Sequence, residues 1–149
     1  MELETSKKIL NVFGVINIVF GIIGVICGVA AITGSAILGV GVANKTIEAT
    51  NDIGNGMLLL SAAGILLVIF SAIDIIEGIF DCNAAKDISK VMPAWVFSII
   101  SLFCSIYSIV ALVVNRNFTS SNLFGAAVSV VLSIITFMAA NSIKQAAGK

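Results

Sequence analysis

The sequence predicts an all-α integral membrane protein, a bundle of four transmembrane helices. Of its 149 residues, 59% are hydrophobic and 11% are charged, whereas soluble domains are about 45–50% apolar and about 25% charged. Charged residues are missing from four long intervals, and a charge at mid-bilayer costs roughly 2.5–3.5 kcal/mol. A single transmembrane domain over residues 1–149 is therefore expected. Its four spans, placed within these intervals, are residues 9–32, 57–80, 93–114 and 123–140.

The first charge-free interval, Ile9–Asn44, is longer than a membrane span needs. As a continuous helix it would extend for about 54 Å, which is some 20 Å more than the hydrocarbon layer. Glycine lowers helix stability, so we expect the helix to end or break near Gly34. Ala36–Ala43 would then lie along or above the far membrane surface. A cleaved signal peptide is the alternative, but this apolar run exceeds the ~7–15 residues typical of such a segment.

The other three spans have clearer ends. Gly54-Asn55-Gly56 predicts a turn before the second helix. Pro93 suits the first turn of the third helix, where its missing N–H costs nothing. Trp95 follows closely and favours the membrane interface. The fourth span lies within the charge-free interval Asn117–Ile143.

The basic residues predict that both termini lie in the cytoplasm. Six of the eight fall at the N-terminus, in the second loop and in the C-terminal tail: Lys7, Lys8, Lys86, Lys90, Lys144 and Lys149. The first and third loops contain only Lys45 and Arg116. Because cytoplasmic loops are enriched in Lys and Arg, this distribution favours cytoplasmic termini. The patterns Asn44-Lys45-Thr46 and Asn117-Phe118-Thr119 match the glycosylation acceptor, which we interpret as coincidence.

Each span has a stripe of small residues with an average period of about 3.5. The stripes are Gly14, Asn17, Gly21, Gly24, Gly28 and Ala31; Ser61, Gly64, Ser71, Asp74 and Gly78; Ser98, Ser101, Cys104 or Ser105, and Ser108; and Ala126, Ser129, Ser133, Thr136 and Ala140. Lipid gives helices no hydrophobic reason to associate, so close backbone approach must supply the attraction. The period favours left-handed packing. The predicted packing glycines are Gly14, Gly21, Gly24, Gly28, Gly64 and Gly78.

Asp74 and Glu77 are the charged residues within a predicted span, and an intramembrane carboxylate indicates a functional site by default. Asp74 lies about 40° from Gly78 around the helix, so we expect it to face protein. Residues at matching depth predict one polar layer of Asn17, Asp74, Ser101 and Thr136 or Ser133, with Lys8, Lys90 and Lys144 as counter-ions. The layer is interpreted as a structural clip. Alternatively, Asp74, Glu77 and Asp81 bind a cation or proton, or the layer receives a partner's helix.

Several function classes are disfavoured by composition. The chain has no histidine and a net charge of zero, so it lacks the commonest zinc ligand and general base, and it lacks the basic surplus of nucleic-acid-binding proteins. A serine protease of the membrane needs a basic partner, and the spans contain none. An aspartyl protease needs carboxylates on two helices, whereas Asp74 and Asp81 share one. We therefore expect no enzyme activity, cofactor, metal or nucleic acid.

The second predicted loop carries one family resemblance. The stretch Ala84-Ala85-Lys86-Asp87-Ile88-Ser89-Lys90, followed by Pro93-Ala94-Trp95, resembles that of small four-span membrane proteins of anaerobic gram-positive bacteria. Ile88 stands where that group has proline. The resemblance covers about a dozen residues and implies a bacterial plasma membrane. It implies no activity, substrate or site residue.

These observations predict a small multi-pass protein that acts by interaction within the membrane, as an adaptor, a scaffold or a self-associating unit. Its expected partners are the lipid bilayer and either another membrane protein or further copies of itself. The alternative is a minimal ion or proton channel or transporter. Because four spans of small residues leave little room for a pore, such a transporter would be oligomeric and would use the polar layer around Asp74.

Overall fold

Four long helices make up most of the chain. The computed structural model describes residues 1–43, 51–114 and 120–148, so Lys45, Arg116 and the two glycosylation patterns lie outside the described residues. The helices are α1 (Leu3–Ala43), α2 (Asn51–Lys86), α3 (Val91–Val114) and α4 (Ser120–Ala147), with a 3-10 helix at Ile88–Lys90. Each α-helix is long and apolar enough to cross a membrane. The predicted all-α architecture with four helices is confirmed.

The predicted break in the first helix is wrong. α1 runs through Gly34 for 41 residues, or about 62 Å at 1.5 Å per residue, and Ala36–Ala43 continues the helix. Hydroxyls support the backbone here, because Thr33 Oγ1 donates to Val29 O at 2.8 Å and Ser35 Oγ lies 2.7 Å from Ile32 O. In an apolar setting, a broken helix leaves backbone groups without partners, which costs more than the low helix propensity of glycine.

The predicted turn before the second helix is also wrong. α2 begins at Asn51, so Gly54-Asn55-Gly56 is helical. The two glycines favour a turn only weakly, since glycine lowers helix stability by about 1 kcal/mol relative to alanine. Continuing the helix satisfies the backbone N–H and C=O groups of these residues without solvent.

The chain divides into two compact units. The terminal unit comprises Met1–Ile16 and Glu77–Lys149, and the middle unit comprises Asn17–Ile76. α1 and α2 therefore each contribute to both units.

The terminal unit holds a core built mainly from small side chains. Its most buried apolar residues are Leu10, Ala84, Val91, Ala94, Ala139, Ala140 and Ile143. Four of these seven are alanines, which permit close approach of helix backbones. Phe80 and Phe97 stack at the edge of this core, with ring centroids 5.5 Å apart. Gly14 belongs to the same unit, and a Cβ there would lie 2.7 Å from Gly78 O and from Cys82 Sγ.

The middle unit is held together by glycines at the contact between α1 and α2. A Cβ at Gly28 would lie 2.6 Å from Val68 Cγ2 and 2.8 Å from Gly64 O. A Cβ on Gly64 would in turn lie 2.8 Å from Gly28 O. Gly21 and Gly24 meet Ser71 in the same way. The two helices therefore approach so closely that these positions have no room for a side chain.

Candidate functional site

The sequence of α2 contains three acidic residues near its C-terminal end, Asp74, Glu77 and Asp81. Asp74 belongs to the middle unit, whereas Glu77 and Asp81 belong to the terminal unit.

Asp74 is exposed, so the expectation that it faces protein within its own chain is wrong. The reason lies in the rotation of α2 against α1. Ser71 is 3% exposed and faces the glycines of α1, whereas Asp74 lies about 60° further round the helix. The close contact through Gly64 and Ser71 therefore leaves the carboxylate outside the helix pair.

Asp81 has the opposite environment. It is fully buried, and among the described residues neither carboxylate oxygen has a hydrogen-bond partner. Its helix neighbour Ala84 is part of the alanine-rich core. An ionised carboxylate away from water is costly unless it is paired and hydrogen-bonded. Asp81 is therefore the most energetically unfavourable polar group in the described part of the terminal unit.

The sequence identified Asp81 only as the end of an acidic stripe and missed its burial. Asp81 lies one residue beyond the predicted span, residues 57–80. A signal was present in the alanines at Ala84, Ala94, Ala139 and Ala140. Small residues at the same end of three helices allow close packing there, and close packing excludes water from a nearby carboxylate.

The members of the predicted polar layer fall in different units. Asn17 is half-buried and Asp74 is exposed in the middle unit, while Ser101 is half-buried and Thr136 is buried in the terminal unit. The hydroxyl of Thr136 donates to Leu132 O on its own helix at 2.9 Å. The common layer therefore stays a prediction.

Two of the three lysines proposed as counter-ions, Lys90 and Lys144, have other contacts. Lys90 Nζ lies 3.7 Å from an Asp87 carboxylate oxygen. Lys144 Nζ lies 3.1 Å from the centre of the Trp95 ring, a cation–π contact. Trp95 Nε1 is buried with no hydrogen-bond partner among the described residues. Lys144 thus contacts the ring of Trp95, and its pairing with an intramembrane carboxylate stays a prediction.

A cluster of three serine hydroxyls joins α3 to α4. Ser105 Oγ lies 2.8 Å from Ser101 O, 3.1 Å from Ser129 Oγ and 2.7 Å from Ser133 Oγ. Ser105 is therefore within hydrogen-bond distance of both serines of α4, and either hydroxyl of each pair can be the donor. The cluster fixes the relative position of the two helices along their axes.

Ser105→Ala is expected to lower the free energy of unfolding by about 0.6–1.7 kcal/mol, the range of hydrogen bonds between membrane helices. Titration with dodecyl sulphate in mixed micelles, followed by the fluorescence of Trp95, measures this change. Ser108→Ala is the matched control, because Ser108 is exposed and, among the described residues, donates only to Cys104 O of its own helix. Equal effects of the two substitutions would show that the cluster does not join the helices.

Asp87 caps the 3-10 helix outside the membrane spans. Its Oδ1 accepts hydrogen bonds from Ser89 Oγ at 2.7 Å and from Ser89 N at 3.1 Å. These bonds, chiefly that from the hydroxyl, hold the pKa of the Asp87 carboxyl below its usual range. The cap therefore stabilises the folded form at every pH above the ordinary aspartate pKa, and this contribution is lost as the pH falls through the lowered pKa.

Acidification is expected to remove the protection of the Ser89 amide against hydrogen exchange. We expect its protection factor to be constant above about pH 5 and to fall toward pH 2, because a protonated Asp87 carboxyl is a weaker acceptor. Hydrogen-exchange spectroscopy across this range measures the loss. Asp87→Asn keeps a carbonyl acceptor that does not titrate, so its Ser89 protection should not change with pH. A parallel fall in that variant would assign the effect to other carboxylates.

Comparison of the chain with protein-family models, with curated proteins and with solved structures finds no match. The functional interpretation therefore rests on the residues of this chain. Among the described residues, no group of three His, Cys, Asp or Glu side chains could hold a metal ion. All three cysteines are free thiols. The features with chemical consequence are the exposed Asp74 and the buried Asp81.

Proposed function

We propose that this small membrane protein acts by association within the bilayer, through the face of α2 that carries Asp74. One observation supports this role most directly: Asp74 is exposed on a helix that crosses the membrane. Ionisable residues in membrane spans almost always face a protein interior or a water-filled cavity. Among the described residues Asp74 has no such cover, and we infer that a second membrane-embedded protein provides it.

The role is that of an adaptor, a scaffold or a self-associating unit and involves no catalysis. The predicted spans, residues 9–32, 57–80, 93–114 and 123–140, contain no histidine, lysine or arginine that would activate a nucleophile. Apolar side chains cover the other exposed faces of α2 and contact lipid. We place the protein in a bacterial plasma membrane, which is the location that its resemblance to small four-span bacterial proteins implies.

Photo-crosslinking in native membranes tests this function. A photoreactive residue replaces Phe70, which lies about 40° from Asp74 and is 60% exposed. The matched control replaces Ile69, which is 51% exposed and about 140° from Asp74. We expect a defined protein adduct from position 70 and only lipid adducts from position 69. Lipid adducts alone from both positions would refute the proposed function.

A minimal ion or proton transporter is the second candidate, and buried Asp81 supports it. A carboxyl group with no hydrogen-bond partner among the described residues can take up a proton or a small cation. Flux into sealed liposomes measures this activity. Asp74→Asn and Asp81→Asn each keep the side-chain shape and remove the charge. Flux that disappears in either variant would favour transport over association, whereas no flux from the unsubstituted protein excludes the simplest form of this candidate.

A further inference from the structure

We propose that the partner of the Asp74 face is a transmembrane helix of a different protein, carrying a lysine or arginine at the depth of Asp74. This inference rests on the proposed function and specifies the chemistry of the partner. It follows from three properties of the chain: the shape of the exposed face, the charge at its end, and the positions of the basic residues.

The exposed face has the spacing of a helix-packing seam. Ala63, Leu67, Phe70 and Asp74 follow one another at intervals of four, three and four residues, and all four are exposed. This spacing places them along one line of α2, over about 16 Å of its length. Ala63 is small enough for a second backbone to approach, while Leu67 and Phe70 provide the side chains that insert between residues of a facing helix. The face is thus shaped for one more helix.

The seam lies beside the contact that α2 already makes in the middle unit. That contact centres on Gly64, Val68 and Ser71, and the seam residue Leu67 borders it, since a Cβ at Gly24 would lie 3.8 Å from Leu67 Cδ1. The seam residues lie next to the residues of this contact around the helix. A partner can therefore bind to α2 without displacing α1.

The charge at the end of the seam selects the partner. An unpaired carboxylate facing lipid is costly, and a basic side chain from a facing helix compensates it by ion pairing and hydrogen bonding. Long basic side chains also keep their stems in apolar surroundings. A helix with a lysine or arginine opposite Asp74 is therefore expected to bind α2 more tightly than an apolar helix does.

A second copy of this chain does not supply that basic residue. In the unit that carries Asp74, Asn17–Ile76, the sequence has one basic residue, Lys45, which falls between α1 and α2. The one basic residue in the sequence of α2 is Lys86, twelve positions after Asp74. Copies inserted with the same topology bring Asp74 to the same depth in both chains. A symmetric pair through this seam therefore places carboxylate against carboxylate, which is repulsive.

A designed helix in lipid vesicles tests this inference. The probe is a synthetic membrane-spanning peptide of leucine and alanine with one lysine at the depth of Asp74. Matched peptides carry glutamine or glutamate at that position. Energy transfer between a dye on the peptide and a dye at the C-terminus of the full-length protein reports association. Vesicles of neutral phosphatidylcholine exclude a contribution from anionic lipid.

The lysine peptide is expected to bind the unsubstituted protein about tenfold more tightly than the glutamine peptide. Asp74→Asn should remove this preference, and Asp74→Lys should transfer it to the glutamate peptide. Equal binding of the lysine and glutamine peptides would overturn the inference, as would a dimer-sized adduct of two copies from photo-crosslinking at position 70. A heterologous adduct that persists in Asp74→Asn would overturn the inference while leaving the proposed association intact.

Discussion

Gly28→Ala is expected to lower the free energy of unfolding by about 1–3 kcal/mol, the usual cost of overpacking a close contact. The added methyl group would lie 2.6 Å from Val68 Cγ2 and 2.8 Å from Gly64 O. A side chain such as Val68 can rotate away, but a backbone carbonyl moves only with its helix. The substitution must therefore separate α1 from α2 and weaken the packing of the middle unit along its length.

Gly34→Ala on the same helix is the control for this experiment. A Cβ at Gly34 meets no atom within 4 Å, so the methyl group has space. Alanine favours a helix over glycine by about 0.5–1 kcal/mol. The two identical substitutions, six residues apart, are thus expected to change stability in opposite directions.

Unfolding by dodecyl sulphate in mixed micelles, followed by circular dichroism at 222 nm, measures both changes. Circular dichroism is the appropriate signal, because Trp95 belongs to the terminal unit and does not report directly on the contact of the middle unit. If Gly28→Ala and Gly34→Ala had the same effect, helix propensity alone would explain it. The close approach of α1 and α2 would then have no energetic role.

The helices could be predicted from the sequence because charge is costly in lipid wherever it occurs. The charge-free intervals located all four helices without any knowledge of their contacts. Helix ends could not be located in this way, as Gly34 and Gly54 show. Glycine disfavours a helix only weakly, whereas a break in the helix leaves backbone N–H and C=O groups without partners. Whether water can satisfy those groups depends on the surroundings of the residue.

The environments of the acidic residues were harder to predict. A helical wheel gives the direction of a side chain around its own helix, but not the distance to a neighbouring helix. Asp74 was placed beside the packing stripe, yet α1 approaches on the side of Gly64 and Ser71 and leaves it exposed. Asp81 was predicted only as the end of an acidic stripe, yet it is fully buried. The exposure of Asp74 and the burial of Asp81 both depend on which helices contact α2. The sequence of α2 alone does not specify those contacts.

Asp81→Asn is expected to raise the free energy of unfolding at neutral pH by about 1–3 kcal/mol, because an amide of the same shape has no charge to bury. The side chain is fully buried, and its oxygens have no hydrogen-bond partner in the described part of the chain. The folded protein must either leave this charge without compensation or bind a proton to cancel it. Both alternatives cost free energy in the folded protein. The unfolded chain bears no such cost, because its carboxylate is in water. An amide of the same shape avoids both alternatives.

Asp74→Asn is the matched control, because Asp74 is also an aspartate of α2 but is exposed. In micelles its carboxylate reaches water in the folded and unfolded forms alike, so we expect a change within about 0.5 kcal/mol. Unfolding by dodecyl sulphate, followed by circular dichroism at 222 nm, measures both variants, because Asp74 belongs to the middle unit and Trp95 to the terminal unit. Loss of stability in Asp81→Asn would show that the carboxylate has a compensating partner in the folded protein. A gain confined to Asp81→Asn would show that this carboxyl destabilises the fold, as expected of a group that serves binding or transport rather than packing.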